Sequence, residues 1–292
     1  MNRLLMCLAM ALMACAPHRS QAAQSYDNCT GFITSLPASI NTPGTWCLKQ
    51  DLSSAITSGD AISINADHVI IDCNNFALDG TPAGGGSATR GIAAQDRVGA
   101  IVRHCDIRGF NYGVFFAGSS SEGAHIVEDN RFYGNLAVGM LVQGDRSILR
   151  RNEVLNTASS TAYIGVIGIN ATYSVDILDN TVSGVDASGY DSSAMGIYTT
   201  ANVHGVIAGN RVRGMHVAPG GVGEWDGIFN YYPVDIVLRD NDVSSNEPYA
   251  GMFESRGIEC YSGTGRASNN VVSGFSTALG ACSDAGGNDI TP

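Results

Sequence analysis

Two short phrases recur along this chain in step with each other, and no other feature restricts its fold so tightly. In the first phrase an Asn is followed two residues later by a bulky apolar residue. Asn130 precedes Phe132, Asn152 precedes Val154, Asn180 precedes Val182, Asn210 precedes Val212, Asn241 precedes Val243 and Asn270 precedes Val272. Cys105 and Ile107 stand in the same relation, and Asn74 with Phe76 is a looser copy. From Asn130 onward this column advances by 22, 28, 30, 31 and 29 residues. The second phrase is Gly followed by an aliphatic residue: Gly91–Ile92, Gly113–Val114, Gly139–Met140, Gly165–Val166, Gly196–Ile197, Gly227–Ile228 and Gly257–Ile258. Within every unit the Gly column leads the Asn column by 13 to 17 residues. A period of this size over seven units is the mark of a stacked-repeat chain.

Each unit lacks a 3.6-residue apolar period. It holds instead short alternating runs of Val, Ile and Phe broken by Gly, Asn, Asp and Ser, which is the pattern of strands and turns. A unit that small cannot bury its apolar side alone, but stacked copies can. The expected fold is therefore all-β, a parallel β-helix solenoid of about eight three-strand coils with an N-terminal cap. Leucine-rich solenoids share the period but need Leu at the repeated core positions, where Val and Ile stand here. The Gly column is expected in turns at positive φ. The Asn column is expected in left-handed turns and as an inward ladder running from coil to coil. The pattern resembles the right-handed parallel β-helix superfamily of the pectate-lyase-like kind. The resemblance extends over residues 65–283 and speaks to fold rather than to activity. Residues 24–64 read as the cap and first partial coil, and residues 65–292 as the β-helix domain.

Residues 1–22 read as an export signal: Arg3 supplies positive charge and an apolar run reaches Ala16. Cleavage after Ala22, or lipidation at Cys15 within Leu12–Met13–Ala14–Cys15, are the two readings, giving a periplasmic or secreted protein or a lipid-anchored one. No later run approaches the ~20 apolar residues of a membrane span. Export permits disulfides, and six cysteines remain: Cys29, Cys47, Cys73, Cys105, Cys260 and Cys282. Fifteen connectivities are open to six cysteines. Coil spacing favours Cys260 with Cys282 and Cys73 with Cys105, each about one coil apart, leaving Cys29 with Cys47 to close the cap. Their spacings match no zinc pattern. With 16 Lys plus Arg against 27 Asp plus Glu, the net charge of −11 argues against a nucleic-acid partner. Lys49 is the sole lysine, so a catalytic base elsewhere must be Arg, His or a carboxylate.

The stretch from the Asn phrase to the next Gly lengthens in the middle of the chain, at 185–195, 215–226 and 246–256, and long insertions on one side of a scaffold mark binding or catalysis. In the strand after the Gly column, the second and fourth positions should face outward. These are Ala93, Phe115, Leu141, Ile167, Tyr198, Phe229 and Glu259, then Gln95, Ala117, Gln143, Ile169, Thr200, Tyr231 and Tyr261. Tyr198, Phe229, Tyr231 and Tyr261, with Trp225 in the adjoining loop and Tyr190, Tyr232 and Tyr249 nearby, suit the apolar faces of sugars. The competing reading has the long loops folding over this strip as a secondary core. Candidate catalytic groups are Glu224, Asp226, Glu254, Arg256 and Glu259, with His204, His216 and Asp191 at the margins. Two carboxylates suit glycoside hydrolysis. An arginine base among acids that hold Ca²⁺ is what the pectate-lyase resemblance implies. No cofactor is otherwise evident, and an exposed Asp226–Arg256 salt bridge is the plain structural alternative. The expectation is a polysaccharide lyase or hydrolase with a polysaccharide partner. The alternatives are a non-catalytic glycan-binding or adhesin-like rod and an architectural periplasmic protein.

Overall fold

A computed structural model describes residues 26–157, 165–187, 193–202, 204–217, 223–245 and 254–291. The signal segment with Cys15, and Tyr190, Asp191 and Tyr249 of the long loops, lie outside the described residues. Three parallel sheets of 11, 10 and 10 strands run the length of the molecule, and successive strands visit the three sheets in turn. One short 3₁₀ turn, Thr81–Ala83, is the helical exception among the described residues. The chain is a right-handed parallel β-helix. Residues 31–64 already supply strands to all three sheets.

The core is built from side chains stacked in columns along each sheet. Ile62, Ile92, Val114, Met140, Ile169, Ile197, Ile228 and Ile258 lie in register and are fully buried. The Asn phrase supplies a second column, from Leu78 and Ile107 through Phe132, Val154, Val182, Val212 and Val243 to Val272. Each such side chain contributes ~1.5–3 kcal/mol by leaving water, a gain that exists only because the neighbouring coil covers it. One register expectation fails here. Met140 pairs with Ile169 and Ile169 with Ile197, so the fourth column glycine is Gly168, three residues beyond Gly165. Ile169 is consequently core rather than outward, and Asn170 takes the outward place beside Tyr198.

The two glycine populations exist for different reasons. The Gly column does not sit at positive φ. A Cβ on Gly113 would come within 2.5 Å of the Gly139 carbonyl oxygen, and one on Gly168 within 2.6 Å of the Gly196 oxygen. These residues are glycine because adjacent coils close tightly on each other at this point of the strand. Positive φ belongs instead to glycines that close the Asn phrase, such as Gly134 at 60° and Gly184 at 73°. From Asn130 onward the Asn residues are likewise not left-handed, and the residue before each one is, as at Asp129, Arg151, Asp179 and Asp240; only the looser copy, Asn74 at 50°, is left-handed itself. This turn aims the Asn inward. Asn180 Oδ1 accepts from the Asn152 backbone N–H at 2.9 Å and from Asn152 Nδ2 at 3.0 Å, while its own Nδ2 donates to Leu149 O and Asn210 Oδ1. The ladder runs from Asn130 to Asn288, which with Ile290 repeats the phrase once more in a further coil.

All three disulfides form as the coil spacing suggests. Cys29–Cys47, Cys73–Cys105 and Cys260–Cys282 span Cα separations of 5.9, 4.8 and 5.0 Å. They imply assembly in an oxidising compartment. No helix among the described residues is long and apolar enough to cross a membrane.

Candidate functional site

Four neighbouring strands of one sheet, Val166–Thr172, Ala194–Thr200, Trp225–Tyr231 and Ser255–Tyr261, place the outward side chains of the middle coils side by side. Parallel pairing sets Asn170, Tyr198, Phe229 and Glu259 in one row and Thr172, Thr200, Tyr231 and Tyr261 in the next. The rings stack from coil to coil. Tyr198 and Phe229 have centroids 6.0 Å apart with planes 14° apart, Phe229 and Tyr261 5.9 Å and 26°, and Tyr231 and Tyr261 5.5 Å and 7°. Tyr232 meets Tyr231 edge-on at 4.2 Å. Along this ladder runs a groove of about 530 Å³, lined by Tyr198, Phe229, Tyr231 and Tyr261 together with Ile167, Met195, Glu224 and Arg256.

Trp225 is not in a loop. It lies in the strand, is 6% exposed, and packs with the core between Ala194 and Ser255 in the register. Its neighbour Asp226 faces the other side, in a row with Met195 and Arg256. This side change at the column glycine is the signal that separates the two residues.

Beside the ladder, Arg256 gathers four carboxylates. Its Nη1 donates to Glu224 at 2.8 Å and to Asp226 at 3.4 Å, and its Nη2 to Glu254 at 2.6 Å and to Glu224 at 3.2 Å. Glu259 Oε2 stands 3.9 Å from Nε. The guanidinium also lies 5.4 Å from the Phe229 ring centroid. The expected exposed pair is therefore a largely enclosed cluster: the Arg256 side chain is 11% exposed and that of Asp226 0%. Burial pushes the Asp226 carboxyl up to about 7 against the pull of Arg256, with Glu224 adding to the rise. Burial also raises Glu259, which is enclosed and lies off the groove lining. The hydrogen bonds that Arg256 donates to Glu224 hold its guanidinium above its ordinary value. Asp226 Oδ2 meets no hydrogen-bond donor. Glu224 and Glu254 reach the surface, the latter 73% exposed.

Away from this groove the charges are spent on one another. A second hollow of about 460 Å³ is lined by Asp129, Arg131, Arg151 and Glu153. There Arg151 pairs with Asp129 at 2.7 Å and Arg131 with Glu153 at 3.3 Å. Arg211 and Arg213 share Asp242, and His204 stands exposed, 3.8 Å from Asp235.

Residues 48–223 match NosD, described as a periplasmic copper-binding protein. The chain belongs to the NosD family. Comparison of this NosD-family chain with curated proteins gives no match. Among solved structures it is similar to the Dettilon tailspike protein, at 13% identity and a TM-score of 0.52, over 83% of this chain and 47% of that one. The catalytic unit of a thermostable GH87 α-1,3-glucanase from Streptomyces thermodiastaticus aligns at 11% identity with a TM-score of 0.32, over 89% of this chain and 62% of that one. The chain thus spans about half the length of the tailspike, and the likeness is one of fold.

The copper of the family description calls for soft or imidazole donors gathered at one place. All six described cysteines are closed in disulfides, and no three His, Cys, Asp or Glu side chains converge on a metal position among the described residues. Copper sites draw on thiolate, thioether and imidazole, and the described residues of this NosD-family chain do not fit one. Ca²⁺ fares no better, since the carboxylates that would hold it are turned onto Arg256.

Proposed function

We propose that this chain is an exported β-helix protein that binds extracellular polysaccharide in the groove beside the Tyr198–Tyr261 ladder. The observation that carries the reading is the row of Tyr198, Phe229, Tyr231 and Tyr261 standing along a groove on a rigid sheet. Aromatic rings pack against sugar C–H faces while phenol hydroxyls and nearby carboxylates meet the hydroxyl groups. The disulfides fit a periplasmic or secreted location. An export signal over residues 1–22, with or without a lipid at Cys15, belongs to the same reading.

Hydrolysis of the bound glycan is the second reading, favoured by one observation. Glu224, which borders the groove, shares one guanidinium nitrogen with Asp226, whose carboxyl burial raises to about 7, and glycoside hydrolysis draws on a pair of carboxyl groups. Elimination from a uronate is the weaker branch, because an arginine base must release a proton that four carboxylates around Arg256 hold in place.

Binding to a panel of soluble glycans, followed by calorimetry, tests the proposal. Tyr231→Ala and Tyr198→Ala should each weaken the best binder by about 1–3 kcal/mol. Release of reducing ends from neutral glycans would support hydrolysis, and unsaturated product from polyuronides would restore elimination. No binding to any member of the panel, with the protein shown folded, overturns the reading.

A further inference from the structure

We infer that the groove selects glycans bearing free amino groups and rejects uronates; the inference rests on the proposed glycan-binding groove. It starts from the charge that the groove presents. Among the described residues Arg256 is the one cation in its lining, and both terminal nitrogens are occupied, by Glu224 with Asp226 and by Glu224 with Glu254. No guanidinium face is left to make the paired contact that a uronate carboxylate wants. Four carboxylates stand against that single positive charge. With Asp226 protonated, the cluster still carries more negative charge than positive. The enclosed Asp226 Oδ2, without a donor, sits in the same cluster.

The rings supply the second half of the argument, independent of the carboxylates. In a coil-to-coil stack each ring covers the face of the next. Phe229 is covered on both sides, by Tyr198 and by Tyr261. Tyr198 turns its other side to the coil of Asn170, and Tyr231, which Tyr232 meets edge-on, its other side to the coil of Thr200; neither register row carries the stack further. The ladder therefore ends at Tyr198 and Tyr231, in rows that continue with small polar side chains, on the same reach of groove that Glu224 borders. An aromatic face near surface carboxylates is a receptor for an ammonium group, through cation–π attraction and ion pairing. A pyranose ring packed on Tyr198 or Tyr231 gains the same apolar contact whatever its substituent, so the substituent decides. An amine meets Glu224 and Glu254; a carboxylate meets repulsion, with the Arg256 guanidinium already taken. The ligand class is a polymer of partly or wholly deacetylated amino sugar.

Three hexasaccharides distinguish the outcomes: a glucosamine oligomer, its N-acetylated counterpart and a galacturonate oligomer, titrated calorimetrically in mildly acidic buffer. The glucosamine oligomer should bind about tenfold or more tighter than the acetylated one. Raised salt should erode that margin, and the galacturonate oligomer should not bind. A Tyr198→Ala/Tyr231→Ala double variant should lose the glucosamine oligomer. Equal binding of the first two, or tighter binding of the galacturonate oligomer, overturns the selectivity while leaving the groove as the binding site. Undiminished glucosamine binding by the double variant overturns the selectivity as well, since attraction to an acidic surface then accounts for it. If none of the three binds while other neutral glycans do, the selectivity alone falls. If nothing binds, the groove reading falls with it.

Discussion

Asp226 is the residue whose chemistry departs furthest from what its position in the sequence suggests. It looks like an exposed partner for Arg256, yet its side chain is wholly enclosed and burial lifts its carboxyl from 3.8 to about 7. The folded chain therefore holds this proton more tightly than the unfolded chain does. The stability it contributes is fully present below pH 3.8 and is lost as pH rises through 7. Asp226→Asn keeps the shape and removes the titration. The variant should match the parent within about 0.5 kcal/mol near pH 4 and exceed it by about 1–3 kcal/mol at pH 8. Thermal melts across that range test it, and a difference that does not grow with pH would show that the carboxyl is not held this way. Alternation along a strand gave the outward direction of Tyr198, Phe229, Tyr231 and Tyr261 directly. It could not give the enclosure of Asp226 and Glu259, because that depends on how Arg256 folds back across them. Nor could it reveal the core position of Trp225, since the inward–outward pattern shifts at the glycine two residues later.

At the scale of the strand, the Gly column records a contact between coils rather than a turn. Gly165–Val166 and Gly168–Ile169 both satisfy the phrase, and only pairing with Met140 and Ile197 selects the second. The Asn ladder was legible as a ladder for a related reason: its period is the coil. The left-handed residue that aims each Asn inward was not, because Asp, Arg and Gly all fill that position. The register makes a direct prediction. Gly168→Ala drives a Cβ toward the Gly196 oxygen at 2.6 Å and against the Val182 side chain, so neither neighbour can move without opening a coil. A loss of about 3 kcal/mol or more is expected. Gly165 has open space around it and pays only for its φ of +78°, so Gly165→Ala should cost about 1–2 kcal/mol. Urea denaturation ranks the two, and the reverse order would return the column to Gly165.

Over the whole molecule, stability is carried from coil to coil, so the ends set its limits. A solenoid behaves as a line of neighbours, each coil stabilised by the two beside it, with the terminal coils held from one side only. Cys29–Cys47 and Cys73–Cys105 tie the first coils, and Cys260–Cys282 ties the last. The final strands, Ser283–Asp284 and Asp289–Thr291, are exposed along their length, and beyond the bridge they are held mainly by Asn288 and a few strand pairs. Removing the C-terminal bridge should therefore loosen one end without melting the rod. For Cys260→Ser/Cys282→Ser, which opens a loop of 22 residues, the expected local loss is about 3 kcal/mol. Amide hydrogen exchange should then speed up across residues 262–291 while the ladder from Asn130 to Asn210 keeps its protection. Loss of protection along the entire ladder would mean that the coils unfold as one cooperative unit. The bridge would then be guarding the whole core, including the sheet on which the groove is built.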